Sequence, residues 1–365
     1  MLAFAREPRR CDPTDLMPAL TGIRLPLALW VVVHHISDSG GMFGPLSAAS
    51  PALRALIEAA WVALSAFFAI SGFVLARRYR GTVWNRDALA RFAAARFGRI
   101  YPVYFLSLLI MLPIIWEALR QDNLGSLAQR AGLLLNYLLL LQGWRWPSTN
   151  WNTPAWSLSC EVFFYACAPI VVGSVRRTSS AGLLATAGLA CAVPIGLRLL
   201  IDPPVAKALL YFGDFLIGVA AAGFYDHYRD RRMPLRRLGP WIYWPTFAVG
   251  IALLLSRDAL GSFLLFDTGV RLVSGLLVFG LACGGGWLTG STAPSLVSIV
   301  LMRLNDDRLQ RRMAFKAIRD YFSDPFGNRI ELMEPRSGAR HGCSGPYSTK
   351  FTRSRQTGSA PARMN

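Results

Sequence analysis

The sequence predicts an all-α fold, a polytopic bundle of transmembrane helices, and three observations carry that expectation. Hydrophobic residues fill 53% of the 365 positions and charged residues only 16%, and the mean hydropathy of +0.35 is too apolar for a chain of soluble domains. The apolar residues gather in runs near the ~20 residues that a helix needs to cross ~30 Å of hydrocarbon. The arginines fall between those runs.

Taken in order, eight runs qualify as spans: 16–37, 56–76, 98–116, 155–175, 181–200, 205–223, 241–256 and 270–288. The polar start, Met1 to Arg10, lacks the apolar core and cleavage site of a removable leader, so Leu16 to Ile36 is expected to remain as the first span. A ninth run, Ala131 to Gln142, is too short to cross and is expected to be re-entrant or interfacial. With a cytoplasmic N-terminus and no crossing by the short run, the arginine-dense loops 77–96, 176–177 and 229–237 all fall inside, as the positive-inside rule requires. A crossing by the short run would put 229–237 outside. Near Leu301 the composition breaks: from there to Asn365 come 13 basic and 6 acidic residues and no span. The chain thus divides into a cytoplasmic segment 1–15, a transmembrane domain 16–300 and a basic non-membrane tail 301–365.

The net charge of +18 does not point to nucleic acid, because the arginines mark topology between apolar runs instead of forming one soluble face. Cys160, Cys167, Cys191 and Cys283 lie within apolar segments, with no spacing that suits zinc or a disulfide framework, and read as small core residues. No metal site is expected.

Ionisable residues inside spans are costly, and usually face a bundle interior, cavity or pathway. In the first span Arg24 and His35 share a helical stripe with Ala28 and Val31, ~16 Å apart in rise, while His34 points ~100° away. Arg96 and Arg99, at i and i+3 ahead of the third span, present two guanidinium forks suited to phosphate oxygens, or serve as basic anchors at the membrane boundary. The fourth crossing opens with Asn150-Trp-Asn-Thr-Pro-Ala-Trp156-Ser157-Leu-Ser-Cys-Glu161. Pro154 suits a helix start, and Ser157, Glu161 and Tyr165 repeat at i, i+4 and i+8 as one polar stripe.

These residues fall into four ordered motifs: arginine-x10-histidine in the first span, FFxxSGF in the second, RxxRIxPxY at the third and NWxTPAWSLSxE at the fourth. In that order and spacing they resemble the bacterial acyltransferase-3 family of membrane O-acyltransferases, over about residues 15–290. The resemblance implies transfer of an acyl group, commonly acetyl, from a cytosolic donor such as acetyl-CoA to a hydroxyl, often on a cell-envelope sugar. That is O-acetylation of the polysaccharide-modifying kind. Also implied are a multi-pass protein of the bacterial cytoplasmic (inner) membrane and an acyl-CoA co-substrate with no tightly bound cofactor. The partners would be the lipid bilayer and a carbohydrate or lipid-linked sugar acceptor. The carried-over residues are Arg24, His35, Arg96, Arg99 and Glu161, with Trp156 and Ser157 inside the motif and Tyr165 in support.

Under that resemblance His35 is the general base, since its unperturbed pKa of ~6.5 suits neutral pH. Glu161, expected at a comparable depth, orients the imidazole as the acid of a triad does. Arg24 binds the donor or steadies the oxyanion, and Arg96 and Arg99 bind donor phosphate. Ser157 as an acyl-carrying nucleophile and direct transfer are both compatible. Two features depart from the family. No closing span with the family's glycine, serine-tyrosine and histidine pattern follows residue 290. The run Tyr321 to Pro335 resembles instead the end of glyoxalase and bleomycin-resistance proteins, where the position of Glu331 can be a metal ligand. A transporter using an Arg24–His35–Glu161 pathway and an inactive truncated homologue are the rival readings.

Overall fold

The structure is a computed structural model and describes residues 17–37, 50–120, 126–144, 151–175, 179–201, 205–231, 233–256 and 263–284. The tail 301–365 and its glyoxalase-like run lie outside them. Among the described residues there are twelve helices and no strand. They are α1 (Pro18–Gly22), α2 (Arg24–Ser37), α3 (Pro51–Glu58), α4 (Trp61–Arg78), α5 (Arg86–Ile110), α6 (Leu112–Arg120), α7 (Leu127–Leu138), α8 (Ala155–Val175), α9 (Ser180–Leu200), α10 (Lys207–Asp230), α11 (Leu235–Leu255) and α12 (Phe263–Ala282).

Six stretches are long and apolar enough to cross a membrane, two of which join neighbouring helices: Ala19–Ser37 across α1–α2 and Leu53–Arg78 across α3–α4. Helices α5 and α6 make a seventh if their pair, bent by 57° at Met111, counts as one. The twenty residues of α12 carry buried Arg271 and partly exposed Asp267. The expected polytopic bundle is therefore found, with several boundaries corrected: the run expected over 205–223 extends to Asp230, that over 241–256 begins at Leu235 and that over 270–288 begins at Phe263. The third span was expected from residue 98, but its helix begins at Arg86, where the Asn85 side chain accepts from the Ala88 N–H at 2.8 Å and Asp87 sits in the first turn. Residues 86–97 are rich in alanine and arginine, good helix formers that a hydropathy window passes over.

Helix directions settle the short run. Helices α4 and α10 pair in parallel, from Phe68–Tyr211 through Phe73–Tyr225 and Arg77–Asp226 to Arg80–Asp230. Between them lie α5–α6, α8 and α9, three crossings; a crossing by α7 would make four and force α4 and α10 antiparallel. The neighbours agree. Helices α9 and α10 run antiparallel, with Gly213 against Ala190 and Gly223 against Leu183, and α10 and α12 run parallel, through Asp214–Arg271 and Tyr228–Phe279.

Helix α7 is re-entrant in its contacts as well. It starts from a capping box of Ser126 and Gln129 and reaches inward until the Tyr104 hydroxyl donates to the Tyr137 carbonyl at 2.5 Å. There it ends without a glycine. Leu141 N–H bonds Asn136 O at 2.9 Å and Leu140 N–H bonds Tyr137 O at 3.1 Å, the paired bonds of a Schellman cap. Buried Leu140 takes the left-handed position at φ 55°, a strained one for a side-chain-bearing residue. The chain then turns back: Gly143 N–H donates to Ser159 Oγ at 3.1 Å and Gly143 O accepts from Ala208 N–H at 3.2 Å.

The core centres on α4 and α10, whose spans are 67% and 56% buried against 11–33% for the other four. They approach at glycines. A Cβ on Gly72 would collide with the Phe215 carbonyl, and one on Gly218 with the Ala69 carbonyl, so backbone packs directly on backbone, as apolar spans do when lipid offers no hydrophobic drive between them. At one end Arg77 and Arg80 close on Asp226, and Arg80 also meets Asp230 at 2.5 Å.

Candidate active site

Two helices meet at one carboxylate, and a third joins them through Tyr165. Helix α8 carries Glu161 within its first two turns, and one turn later Tyr165 donates its hydroxyl to Glu161 Oε2 at 2.9 Å. From α4, Ser71 donates to Oε1 at 3.4 Å. Helix α5 adds Arg96, 6% exposed, its guanidinium carbon 5.7 Å from the centroid of Phe92 and 5.6 Å from that of Tyr165. Arg96 Nε is buried and has no hydrogen-bond acceptor among the described residues. Half-buried Arg99, three residues on, adds its positive field to that of Arg96 at Tyr165. The chain of contacts is therefore Ser71–Glu161–Tyr165–Arg96. Chemically it is an anchored aromatic ring holding a guanidinium in place, in an apolar wall where a planar donor fork is well suited to an anionic oxygen.

The polar stripe expected on α8 holds for Glu161 and Tyr165 but not for Ser157. The Ser157 hydroxyl donates to the Pro154 carbonyl at 2.8 Å, a local bond of the kind serine makes at a helix start. Trp156 packs against Tyr211 at 5.3 Å, and the Lys207 ammonium sits 4.2 Å from its centroid, so this motif residue ties α8 to the start of α10. Arg96 also departs from expectation, since it lies ten residues inside α5 and is buried within the bundle.

The histidines sit elsewhere. His34 Nδ1 bonds the Ile57 carbonyl at 3.0 Å, Trp30 donates to the Leu56 carbonyl at 2.8 Å, and the His35 ring lies 5.2 Å from that of His34. Ile57 precedes Ser71 by fourteen residues along the α3–α4 stretch, a rise of ~21 Å. The expectation that His35 and Glu161 share a depth is thus corrected: the outer part of α2 packs beside α3, and Glu161 meets the far half of α4. Arg24, ~15 Å below His34 along its helix, stands closer in depth to Glu161 than His35 does. Arg24, Val31 and His35 are half-buried, but Ala28 between them is exposed, so their stripe is not wholly turned inward.

Sequence reasoning passed over Ser71, Phe92, Gly72 and Ser159 as working residues. Ser71 and Gly72 were within a quoted motif, and Phe92 stands four residues before Arg96, so each had a signal. The partnership of Ser159 with Gly143 had none. Among the described residues no group of three His, Cys, Asp or Glu side chains is placed to hold a metal ion.

The fold and cluster define a polytopic helical membrane protein with an arginine–carboxylate–hydroxyl site inside the bundle. The chain belongs to the acyltransferase-3 family: the family model described as "Acyltransferase domain" matches residues 17–305. It is similar to "Acyltransferase MdmB" of Streptomyces mycarofaciens, 36% identical over 181 residues, which are 48% of this chain and 45% of that protein. It is also similar to "Protein 2 in picA locus" of Rhizobium radiobacter, 35% identical over 101 residues, 27% of this chain and 46% of that one. The chain spans less than half the length of the curated relatives it matches. No solved structure matches it.

Proposed function

We propose that the chain is an O-acyltransferase of the bacterial inner membrane that moves an acyl group, acetyl in the simplest case, from a cytosolic acyl-CoA to a hydroxyl of a carbohydrate or lipid-linked sugar of the cell envelope. The observation that carries this reading, beside family membership, is buried Arg96 held between Phe92 and Tyr165, with Tyr165 tethered by Glu161. A guanidinium fixed in that way is preorganised for a donor phosphate and loses little side-chain freedom on binding it. Arg99 supplies the second charge and Arg24 the next one in depth. The N-terminus is cytoplasmic in this reading, because the arginine-dense loops then lie inside.

The rise of ~21 Å between the Ser71 and Ile57 levels favours a donor with a long arm, phosphates at Arg96 and thioester carried toward His35. There the acceptor oxygen attacks the thioester carbonyl. The C–O bond forms, the C–S bond breaks, His35 takes the hydroxyl proton, and that proton leaves on the CoA sulfur as a thiol. Transfer is direct in this reading, which needs no nucleophile beyond the acceptor hydroxyl. Glu161 then acts as a positioning residue for Tyr165 and Arg96, a role different from the triad acid expected from the family. The test is incorporation of labelled acetyl from acetyl-CoA into envelope carbohydrate by membranes carrying the chain, against membranes lacking it. No difference at equal protein abundance would overturn the proposal.

A further inference from the structure

Six arginines at the end of the bundle where α4 and α10 finish fall into two sets. Arg77, Arg80 and Arg229 each lie within ion-pair distance of Asp226 or Asp230, so two carboxylates hold three guanidiniums there. Arg231, at the end of α10, and Arg236 and Arg237, in the first turn of α11, are exposed and make no ion pair among the described residues. The stem of Arg236 passes over Gly284 where α12 ends, its Cγ 3.7 Å from where a Cβ on that glycine would stand. Three positive charges are therefore left without a counter-ion at the start of α11.

The helix that follows carries a matching face. Helix α11 turns Leu235, Gly239, Tyr243 and Thr246 inward. On its other side Arg237, Trp241, Trp244, Ala248 and Ile251 follow one another in steps of four and three, a single helical face. All five are exposed, Trp241 by 80%. The order along this face is charge, then tryptophan, then aliphatic. From Trp241 to Ile251 the rise is ~15 Å, half of the ~30 Å of hydrocarbon in a bilayer, which is one leaflet. Tryptophan favours the boundary between headgroup and hydrocarbon, and one turn before Trp241 the guanidinium of Arg237 stands at the depth of lipid phosphate.

A phospholipid presents the same parts in the same order: phosphate, glycerol esters, acyl chains. We infer that Arg231, Arg236 and Arg237, with the Trp241 face of α11, form a seat for one anionic phospholipid of the leaflet in which α11 begins. Its phosphate meets the guanidiniums and its acyl chain lies along Trp241, Trp244 and Ile251. A zwitterionic headgroup brings a cation of its own, which the same three arginines repel, so the seat selects net negative charge. The site does not depend on acyl transfer.

The test is native mass spectrometry of the full chain, released from detergent micelles doped with equal amounts of phosphatidylglycerol and phosphatidylcholine of the same acyl chains. The parent should retain phosphatidylglycerol at least ten-fold over phosphatidylcholine. Each of Arg231→Gln, Arg236→Gln and Arg237→Gln should weaken that retention about five-fold, and the three together about a hundred-fold, with melting temperature and acetyl-CoA affinity unchanged, since these side chains are exposed and make no ion pair. A phosphatidylglycerol with a photoreactive group in its acyl chain should label the 241–251 segment. Equal retention of the two lipids by the parent, full retention by a folded triple variant, or labelling confined to other segments would each overturn the inference. Displacement of the lipid by acetyl-CoA would assign the three arginines to the donor and overturn it as well.

Discussion

Replacing Arg96 by methionine should separate donor binding from folding. The substitution keeps an unbranched apolar stem between Phe92 and Tyr165 and removes the charge. Tyr165 and Glu161 keep their mutual hydrogen bond, and Arg96 Nε has no acceptor among the described residues to leave stranded. Holding a charge out of water without a hydrogen-bonded counter-ion is costly, and an unbranched apolar side chain in its place removes that cost. Thermal stability in detergent should therefore hold or rise. A charge-assisted hydrogen bond to phosphate contributes ~1.5–3 kcal/mol, and at ~1.4 kcal/mol per decade that is a loss of about 10- to 150-fold in acyl-CoA affinity. The measurement is calorimetric titration of acetyl-CoA, with kinetics at saturating donor. The rate there should stay within a few-fold of the parent, because a lost binding contact raises KM before it lowers kcat. Unchanged donor affinity in a well-folded Arg96→Met protein, or a fall in kcat at constant KM, would refute the phosphate assignment.

Three further outcomes are expected. His35→Ala should lower acylation by about 10²- to 10⁴-fold, while His34→Ala, which removes the bond to the Ile57 carbonyl, should cost ~1 kcal/mol of stability at nearly full rate; activity and melting of the pair, read at equal abundance, would expose a reversed assignment. Gly218→Val drives a branched side chain into the Ala69 backbone, with an expected destabilisation of ~3 kcal/mol or more, visible as lost folded protein in detergent-solubilised membranes; a fully stable variant would contradict the α4–α10 contact. Reporter fusions after Arg80 and Arg231 should read the same side of the membrane, because α4 and α10 are parallel, and opposite readings would make α7 a crossing.

The sequence exposed what depends on a helix's own composition and little of what depends on its neighbours. The long spans were legible from hydropathy, and the Glu161–Tyr165 pair from its spacing of four. Ser157 satisfied the same spacing, but its hydroxyl found a nearer acceptor in Pro154 O, a competition that periodicity does not report. Depth failed for a related reason. Counting residues locates His35 along α2 and Glu161 along α8, but the vertical offset between helices is set by packing, here by Trp30 and His34 on the carbonyls of Leu56 and Ile57. The cap at Leu140 had no glycine to announce it, since the burial of its side chain and neighbouring contacts hold a backbone conformation that propensity disfavours. Gly72 stood in a quoted motif, yet its use appears only once Phe215 lies against it.

The pairing of α4 with α10 also sets the order of assembly. Arg77 and Asp226 stand 149 residues apart in the chain, and ribosomes add ~5–20 residues per second. Helix α4 is therefore made about 7 to 30 seconds before the helix that covers its glycine face and neutralises Arg77 and Arg80. During that interval Asp226 and Asp230 are not yet made, and the glycine face of α4 has no α10 against it. Any mutation that delays the arrival of α10 in the membrane lengthens this exposure, so the chain's yield in cells depends on the timing of its synthesis as well as on its final stability.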